Sequence, residues 1–182
     1  PIIDKVRNEG IAAVAICLVH SYAHPQHEIE AREILSEALP GVSISLSHEV
    51  AREWREYERT SSAVMNAYVA PVVERYLTSL QEDLHAMNMD ATVHVMQSSG
   101  GVSTADSARR SPVFTLLSGP VGGTIAGTAL SAIASRPNLL CVDMGGTSFD
   151  LSLVIDGKAN STLETELEGL PLLMSIVDIQ TI

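Results

Sequence analysis

The chain alternates short apolar runs with longer stretches in which apolar residues recur every third or fourth position. Apolar runs over residues 11–19, 42–46 and 92–97 predict β-strands, and helical spacing over residues 28–38 and 61–87 predicts α-helices. The order strand, helix, strand predicts a right-handed parallel crossover. The pattern therefore predicts an α/β protein in which helices pack on one mostly parallel sheet.

The longest predicted helix begins at Ser61 or Ser62 and runs toward Met87. Pro71 predicts a kink, because proline removes one backbone N–H and crowds the preceding turn. Apolar side chains recur every fourth residue and predict a wide stripe that packs in the core. The members of this stripe are Val64, Tyr68, Val72, Tyr76, Leu80 and Leu84, with Met65, Val69, Val73 and Leu77 beside them.

A strand–turn–strand pattern follows near residue 140. The continuous apolar run Leu139–Val142 predicts a strand that is buried on both faces. Gly145-Gly146 interrupts this run, and the apolar pattern resumes over Phe149–Ile155. Asp156-Gly157 is then a strong hairpin signal. Residues 139–155 are therefore predicted to form an antiparallel pair that turns at the two glycines.

The polar residues of this turn suggest phosphate chemistry. Successive N–H groups of a glycine-rich turn form a concave anion site, and Thr147 and Ser148 add hydroxyl donors. Asp143 and Asp150 flank the turn, and their carboxylates suit a divalent cation or water between them and a phosphate. The pattern favours a magnesium–nucleotide phosphate site. The alternative is a hairpin turn with solvated aspartates.

A second glycine-rich stretch covers residues 116–127. It lacks the lysine of a P-loop, which excludes that motif. After Pro120, the small residues Gly123, Gly127 and Ser131 recur every fourth position. This spacing predicts a helix whose small face packs closely against another helix or the sheet.

Composition narrows the class of protein. The 182 residues carry a net charge of -11, which disfavours nucleic acid as a partner. An acidic chain still binds ATP where loop N–H groups and a metal supply positive potential.

No signal peptide or membrane-length apolar run is present, so we expect no membrane partner and a cytoplasmic location. The first residue is not Met and the last residues are strand-like, so we expect a self-associating fragment of a longer protein.

Histidine and cysteine give weak signals. His20, His24 and His27 lie close together, but no cysteine or paired acid stands in register with them, so a metal site is disfavoured. Cys17 and Cys141 both fall in predicted strands. Two such cysteines are not a disulfide framework, and we interpret them as small buried hydrophobes.

The motif Asp-Met-Gly-Gly-Thr-Ser-Phe-Asp at residues 143–150 resembles the second phosphate loop of the actin, Hsp70 and sugar-kinase ATPase superfamily. More closely it resembles the hydantoinase A and 5-oxoprolinase family, which includes N-methylhydantoinase A and acetone carboxylase-like members. The order Ser-Gly-Pro at 118–120, small-faced helix and loop is also similar. This resemblance implies actin-like, ribonuclease H-like lobes: 1–118 in the first, 119–136 as connecting helix and 137–182 starting the second.

Further matches fall along the chain. The segment Glu56–Thr60, followed by Asn66-Ala67-Tyr68, resembles a family signature. The resemblance implies that Arg59 and Asn66 line the ligand cleft, and a buried ion pair at the start of the helix is the alternative. Ser99 replaces a family asparagine in a loop at the carboxyl end of a strand, where ligands bind in open α/β sheets. Gln180 replaces a histidine that the family commonly carries, which leaves its role open.

The resemblance also implies a site. Gly145, Gly146 and Thr147 would bind phosphate, with Thr147 also catalytic. Asp143 and Asp150 would hold metal-bound water or polarise the attacking group, with Asp143 holding Mg²⁺ through water. The remaining implied nucleotide contacts are Ser148, Ser118, Gly119 and Gly122.

The implied parent enzyme is an ATP-dependent hydrolase of cyclic amides such as hydantoins or 5-oxoproline. It would use ATP and Mg²⁺ and act with a second subunit of the hydantoinase B kind. ATP would activate the substrate by phosphoryl transfer to its carbonyl oxygen. The alternatives are a subunit of an ATP-dependent ketone carboxylase, a non-catalytic chaperone-like nucleotide switch and a metabolite kinase. The isolated fragment is expected to be inactive.

Overall fold

The computed structural model describes residues 1–167 and 169–182, which form two compact units. Unit 1 comprises residues 1–93, 105–113 and the described part of 166–173. Unit 2 comprises residues 94–104, 114–165 and 174–182. None of the helices in these described ranges combines the length and apolarity that crossing a bilayer requires. The predicted boundaries of the actin-like lobes, at residues 118 and 136, stay a prediction. A division of the chain into compact units does not show that a unit is an actin-like lobe.

Helices and strands are mixed over the first 133 residues, and the elements from residue 139 onward are strands. The helices are α1 (Ile2–Asn8), α2 (Gln26–Ala38), α3 (Ser47–Val50), α4 (Glu56–Ala86), α5 (Ala105–Arg110) and α6 (Ser118–Ile133), with a 3₁₀ turn at Pro112–Thr115. The strands are β1 (Ala13–Ile16), β2 (Ser43–Leu46), β3 (His94–Met96), β4 (Val102–Thr104), β5 (Leu139–Met144), β6 (Phe149–Ile155), β7 (Lys158–Ala159), β8 (Ser161–Leu167), β9 (Leu170–Val177) and β10 (Ile179–Thr181). The α/β class is therefore confirmed.

Unit 1 is built on a strand–helix–strand crossover. β1 and β2 pair in parallel from Ala13 opposite Ser43 to Ile16 opposite Leu46, and α2 connects them. The predicted parallel pairing is confirmed, and the right hand of the crossover stays a prediction. The long helix α4 packs on both strands.

The buried face of α4 differs from the predicted stripe. Val64, Tyr68, Val72 and Tyr76 are between 50% and 79% exposed, so the prediction that they pack in the core was wrong. Leu77 of the predicted stripe is buried, and the other buried residues of α4 are Arg59, Ser62, Ala63, Asn66, Ala67 and Ala70. The alanines let the helix backbone come close to the strands, and the bulkier side chains point to solvent. Pro71 lies within the uninterrupted helix.

A buried carboxylate holds unit 1 together. Glu28 on α2 is 0% exposed. One of its oxygens accepts hydrogen bonds from the N–H of Leu18 (2.9 Å) and the hydroxyl of Ser47 (2.7 Å). The other oxygen contacts His48 twice: it accepts the backbone N–H (3.2 Å) and lies 2.7 Å from Nδ1 of the ring. Burial raises the pKa of Glu28, but these hydrogen bonds outweigh burial and hold the pKa below its ordinary value. Glu28 is therefore ionised and ties α2 to the end of β1 and to α3.

Unit 2 contains the predicted hairpin. β5 and β6 pair antiparallel from Leu139 opposite Val154 to Met144 opposite Phe149, which leaves residues 145–148 as the turn. β10 pairs with the other edge of β6. Asp156 and Gly157 have φ of 51° and 74° and turn the chain into β7. Both turns were predicted correctly.

Two expectations about the strands were wrong. β3 pairs antiparallel with β4, not with β1 and β2, and β1–β2 is the one parallel pair among those whose register the described residues define. The chain reverses within residues 97–101, where Gln97 N–H donates to Gly101 (2.8 Å), and so short a connection forces antiparallel pairing. Leu140 and Val142 are 62% and 53% exposed, because α6 covers only the opposite face of β5.

Helix α6 packs on β5 and β6 through Gly127. A Cβ at Gly127 would collide with Sγ of Cys141 and lie 3.5 Å from Val154. Next to it, the hydroxyls of Thr124 and Ser152 share a hydrogen bond of 2.6 Å. Gly127 and Ser131 are buried as predicted, whereas Gly123 is exposed and lies outside the packed face. The buried positions are Val121, Thr124, Gly127 and Ser131.

We expect Glu28→Gln to lower the free energy of unfolding by roughly 3 kcal/mol at pH 7, since it breaks a buried, hydrogen-bonded charge cluster. The folded-state pKa of Glu28 is lowered, so its contribution is full above its ordinary pKa of 4.5 and is lost as pH falls through the folded value. Urea denaturation at a series of pH values between about 3 and 7 measures the free energy of unfolding and its dependence on pH. The control is Glu37→Gln on the exposed side of α2. Equal stability of the two variants at pH 7 would contradict this role.

The close approach at Gly127 predicts opposite signs for two glycine substitutions in α6. Gly123→Ala should raise stability by up to about 1 kcal/mol, because its Cβ meets open space and alanine favours helix. Gly127→Ala should lower stability, and adding Cys141→Ala should recover part of the loss. Thermal unfolding of the three variants measures this, and similar effects at the two glycines would refute the packing.

Candidate functional site

The turn between β5 and β6 presents unpaired backbone donors. Gly145 N–H donates to Ser148 O at 3.0 Å and closes the turn. The N–H groups of Gly146, Thr147 and Ser148 donate to no atom of the described residues. A Cβ at Gly146 would meet nothing within 4 Å, so a ligand can come close to the main chain. Three successive free N–H groups are the feature that an anion-binding turn requires.

The two aspartates of the motif are brought together. Asp143 and Asp150 are direct partners across the β5–β6 pair, so their side chains lie on the same face of the sheet. Carboxylates in such positions repel each other unless a cation or hydrogen-bond donors compensate. Their pairing therefore needs an explanation from the groups around them.

Only one of these carboxylates is committed within the protein. Asp150 is 8% exposed, and its two oxygens accept the hydroxyls of Thr181 (2.6 Å) and Ser148 (2.9 Å). Asp143 is exposed. The hydroxyl proton of Ser148 is directed to Asp150, so the backbone N–H is the donor that Ser148 leaves available. The sequence did not single out Thr181, which lies on β10 far along the chain.

A cleft of about 350 Å³ lies beside the two aspartates. Pro120 and Gly123 of α6 line it together with Asp143, Asp150 and Ile179. The rest of its lining is mostly apolar side chains of β5, β6 and α6. A mostly apolar cleft with a few polar groups is typical of small-molecule sites.

The N-terminus of α6 supplies further N–H groups. Its N-cap residue Leu117 has φ of 60° and no side chain caps the helix. The first-turn N–H groups, which include those of Ser118 and Gly119, have no intrahelical acceptor, and the helix dipole favours an anion there. A Cβ at Gly119 would meet nothing within 4 Å, whereas a Cβ at Gly122 would lie 3.9 Å from Met96, in ordinary van der Waals contact.

Arg59 is a structural residue in unit 1. It is 0% exposed and donates to Ser47 Oγ (3.1 Å) and to the carbonyls of Leu18 (2.9 Å) and Glu53 (2.6 Å). It also forms an ion pair with Glu56 at 3.5 Å, at the start of α4. Arg59 is thus buried at the start of the helix as the alternative supposed, but its partner Glu56 is 42% exposed, and a substrate role for Arg59 stays a prediction.

Asn66 is likewise occupied. Its amide nitrogen donates to Ser45 Oγ (2.9 Å) and to the carbonyl of Arg110 (3.2 Å), and its oxygen accepts the N–H of Val113 (3.1 Å). The residue is 0% exposed. It therefore joins α4 to β2 and to the chain that follows α5, and its predicted substrate contact is likewise untested.

Ser99 lies in unit 2 and is exposed on the turn between β3 and β4. Its buried neighbour Ser98 does the structural work, because its hydroxyl donates to the carbonyls of Phe114 and Leu116, just before α6. A Cβ at Gly100 would lie 2.5 Å from Ile125 of α6, which explains the glycine. Sequence reasoning missed Ser98, since the motif gives no sign of which serine is buried.

The acidic residues suit a hydrated metal better than a protein-bound one. Across residues 1–167 and 169–182, no group of three or more His, Cys, Asp or Glu side chains is placed to hold a metal. Mg²⁺ usually keeps several waters and binds one or two carboxylates plus phosphate oxygens. One exposed carboxylate, Asp143, next to a turn with three free N–H groups fits that donor set. The side-chain amide of Gln180 donates to Asp178 at 3.3 Å, and Gln180 makes no described side-chain contact with Asp143 or the turn.

Comparison with protein families gives the identity that this motif suggested. The hydantoinase/oxoprolinase family matches residues 59–182, and the hydantoinase/oxoprolinase N-terminal region matches residues 1–39. The chain belongs to the hydantoinase/oxoprolinase family. The resemblance noted from the loop is thereby confirmed.

Two curated relatives match almost the whole chain. The caprolactamase subunit alpha of Pseudomonas jessenii is 33% identical over 99% of this chain and 26% of its own length. The 5-oxoprolinase of Saccharomyces cerevisiae is 37% identical over 95% of this chain and 13% of its own length. The chain thus spans about a quarter or less of these proteins.

Two solved structures share the fold. The ATP-dependent caprolactamase from Pseudomonas jessenii superimposes with a TM-score of 0.84 at 33% identity, over 98% of this chain and 26% of that one. Nucleotide-free acetone carboxylase superimposes with a TM-score of 0.85 at 23% identity, over 99% of this chain and 26% of that one. At that lower identity, the second comparison shows the fold alone.

Proposed function

We propose that this chain supplies one phosphate-binding loop to an ATP-dependent hydrolase of cyclic amides. The observation that carries the proposal is the turn at residues 145–148, with three free N–H groups beside the paired Asp143 and Asp150. Relatives named caprolactamase and 5-oxoprolinase support a cyclic amide as the substrate. In this proposal the chain forms parts of two actin-like lobes, and the relatives' longer chains would supply the rest of the nucleotide site.

Each residue of the turn has a role that follows from its contacts. The N–H groups of Gly146, Thr147 and Ser148 would bind phosphate oxygens, and the Thr147 hydroxyl would add a donor. Positioned donors of this kind stabilise charge that develops during transfer of the phosphoryl group. Gly145 N–H donates to Ser148 O and closes the turn, so in this proposal Gly145 shapes the loop, and its expected phosphate contact stays a prediction.

The carboxylates divide the remaining work. Asp150 would position the loop, because Thr181 and Ser148 hold both of its oxygens. Asp143 would bind Mg²⁺ through water. When bound, Mg²⁺ supplies positive charge to the phosphate oxygens and offsets the repulsion between the two aspartates.

A second candidate function is a subunit of an ATP-dependent ketone carboxylase. The acetophenone carboxylase gamma subunit of Aromatoleum aromaticum is 29% identical over 85% of this chain and 21% of its own length. The names of this relative and of caprolactamase subunit alpha indicate assemblies of several subunits, and we propose a second subunit for this protein also.

Substitutions in the loop test the proposal in the full-length protein with its partner subunit. Thr147→Ala and Asp143→Asn should each lower ATP turnover by about 100-fold or more, because such groups act mainly on the transition state. The control is Asp156→Asn in the exposed turn to β7. Phosphate release is measured with hydantoins, 5-oxoproline, lactams and small ketones. Near-normal turnover in both loop variants would reduce the loop to a structural hairpin.

The 182-residue chain alone should bind Mg-ATP only at roughly millimolar affinity. A few N–H bonds of about 1 kcal/mol each do not offset an association cost of roughly 4–15 kcal/mol. Calorimetric titration with Mg-ATP measures this affinity. A micromolar constant would mean that the nucleotide site is complete within this chain.

A further inference from the structure

A second cleft, in unit 1, concentrates positive charge in an acidic protein. Its volume is about 330 Å³, and it is lined by His48, Glu49, Arg52, Arg110 and Ser111. The chain has only 11 Lys and Arg residues against 22 Asp and Glu. Two arginines in one cleft of such a chain are a local reversal of its overall charge.

The guanidinium groups of the two cleft arginines form no ion pair or hydrogen bond within the described part of the chain. Arg52 and Arg110 are exposed, and neither guanidinium has an ion-pair or hydrogen-bond partner among residues 1–167 and 169–182. The one acid in the lining, Glu49, is bound to Arg32 at 2.7 Å. A guanidinium group keeps its charge and presents a planar fork of donors that matches carboxylate and phosphate oxygens.

The histidine of this cleft is held in one orientation. The side chain of His48 is 5% exposed, and its Nδ1 lies 2.7 Å from the ionised Glu28. Glu28 is fixed in turn by Leu18 and Ser47. Nδ1 is therefore committed to Glu28, and Nε2 is the ring nitrogen left for a ligand. A buried histidine with a carboxylate behind it is pre-organised for binding in the way that a lone surface side chain is not.

The backbone around the two arginines is also anchored. Ala51 N–H donates to Ser47 at 2.9 Å, directly before Arg52. The carbonyl of Arg110 accepts the buried amide of Asn66, and Ser111 N–H donates to Ser107 at 3.1 Å. The same buried side chains that stabilise unit 1 therefore fix the positions from which both arginines extend.

We propose that this cleft binds the oxyanion of a small molecule, with Arg52 and Arg110 contacting its oxygens and the doubly protonated ring of His48 donating its Nε2–H to it. A carboxylate and a phosphate share this chemistry, and the experiment separates them. The site is independent of the turn at residues 145–148, and the proposal does not rest on the ATP-dependent reaction.

The test is titration of the full chain at constant ionic strength with glutarate, with its uncharged analogue glutaramide and with inorganic phosphate. Heteronuclear NMR follows the ring nitrogens of His48 and gives the dissociation constant. Glutarate, phosphate or both should shift the His48 signals, and glutaramide should not. Arg52→Gln and Arg110→Gln should each raise the dissociation constant of the anion by about tenfold, because each removes a charge-assisted contact.

Arg75→Gln, an exposed position on α4 away from this cleft, is the matched control and should leave the affinity unchanged. Both cleft arginines are exposed, so their variants should fold, and circular dichroism checks this. Thr147→Ala should also leave the His48 response unchanged, which separates this site from phosphate bound at the turn. Absence of any His48 response to either anion, equal binding of glutaramide, or an equal effect of Arg75→Gln would overturn the proposal.

Discussion

The buried carboxylate of Glu28 is the interaction on which unit 1 depends. A charge without solvent is costly unless hydrogen bonds compensate it, and here the donors come from Leu18, Ser47 and His48. Arg59 then bonds Ser47 and Leu18 from α4. Four segments are therefore positioned by one charge cluster, and the orientation of the His48 ring is a consequence of it. Unit 2 has an apolar counterpart, the close approach of α6 to β5 at Gly127.

The parts of the fold that the sequence predicts well are those determined by neighbouring residues. Gly145-Gly146 and Asp156-Gly157 are sharp local turns, and the hairpin register follows from them. Burial is determined by distant segments and was predicted less well. Val64, Tyr68, Val72 and Tyr76 of α4 face solvent because small residues on the other side of the helix pack on the strands. Leu140 is exposed because nothing described covers that face of β5. Glu28 was missed because a glutamate near a helix start gives no local sign of burial.

The candidate site shows the same division. The sequence spacing alone predicts that Asp143 and Asp150 lie close together, because a short turn places the two ends of the motif side by side. Their different surroundings depend on Thr181, which is distant in sequence. The Arg59 and Asn66 signature marks a family, but in this structure both side chains are used to hold α4 in place. A motif that identifies a family can therefore reflect the fold as much as the chemistry.

The central claim is that the turn at residues 145–148 binds nucleotide phosphate. The most direct measurement is a crystal structure of the full-length protein with Mg²⁺ and a non-hydrolysable ATP analogue. Our account predicts phosphate oxygens within hydrogen-bond distance of the N–H groups of Gly146, Thr147 and Ser148, and a metal-bound water at Asp143. A nucleotide whose phosphates lie elsewhere, with those three N–H groups still open to solvent, would contradict it.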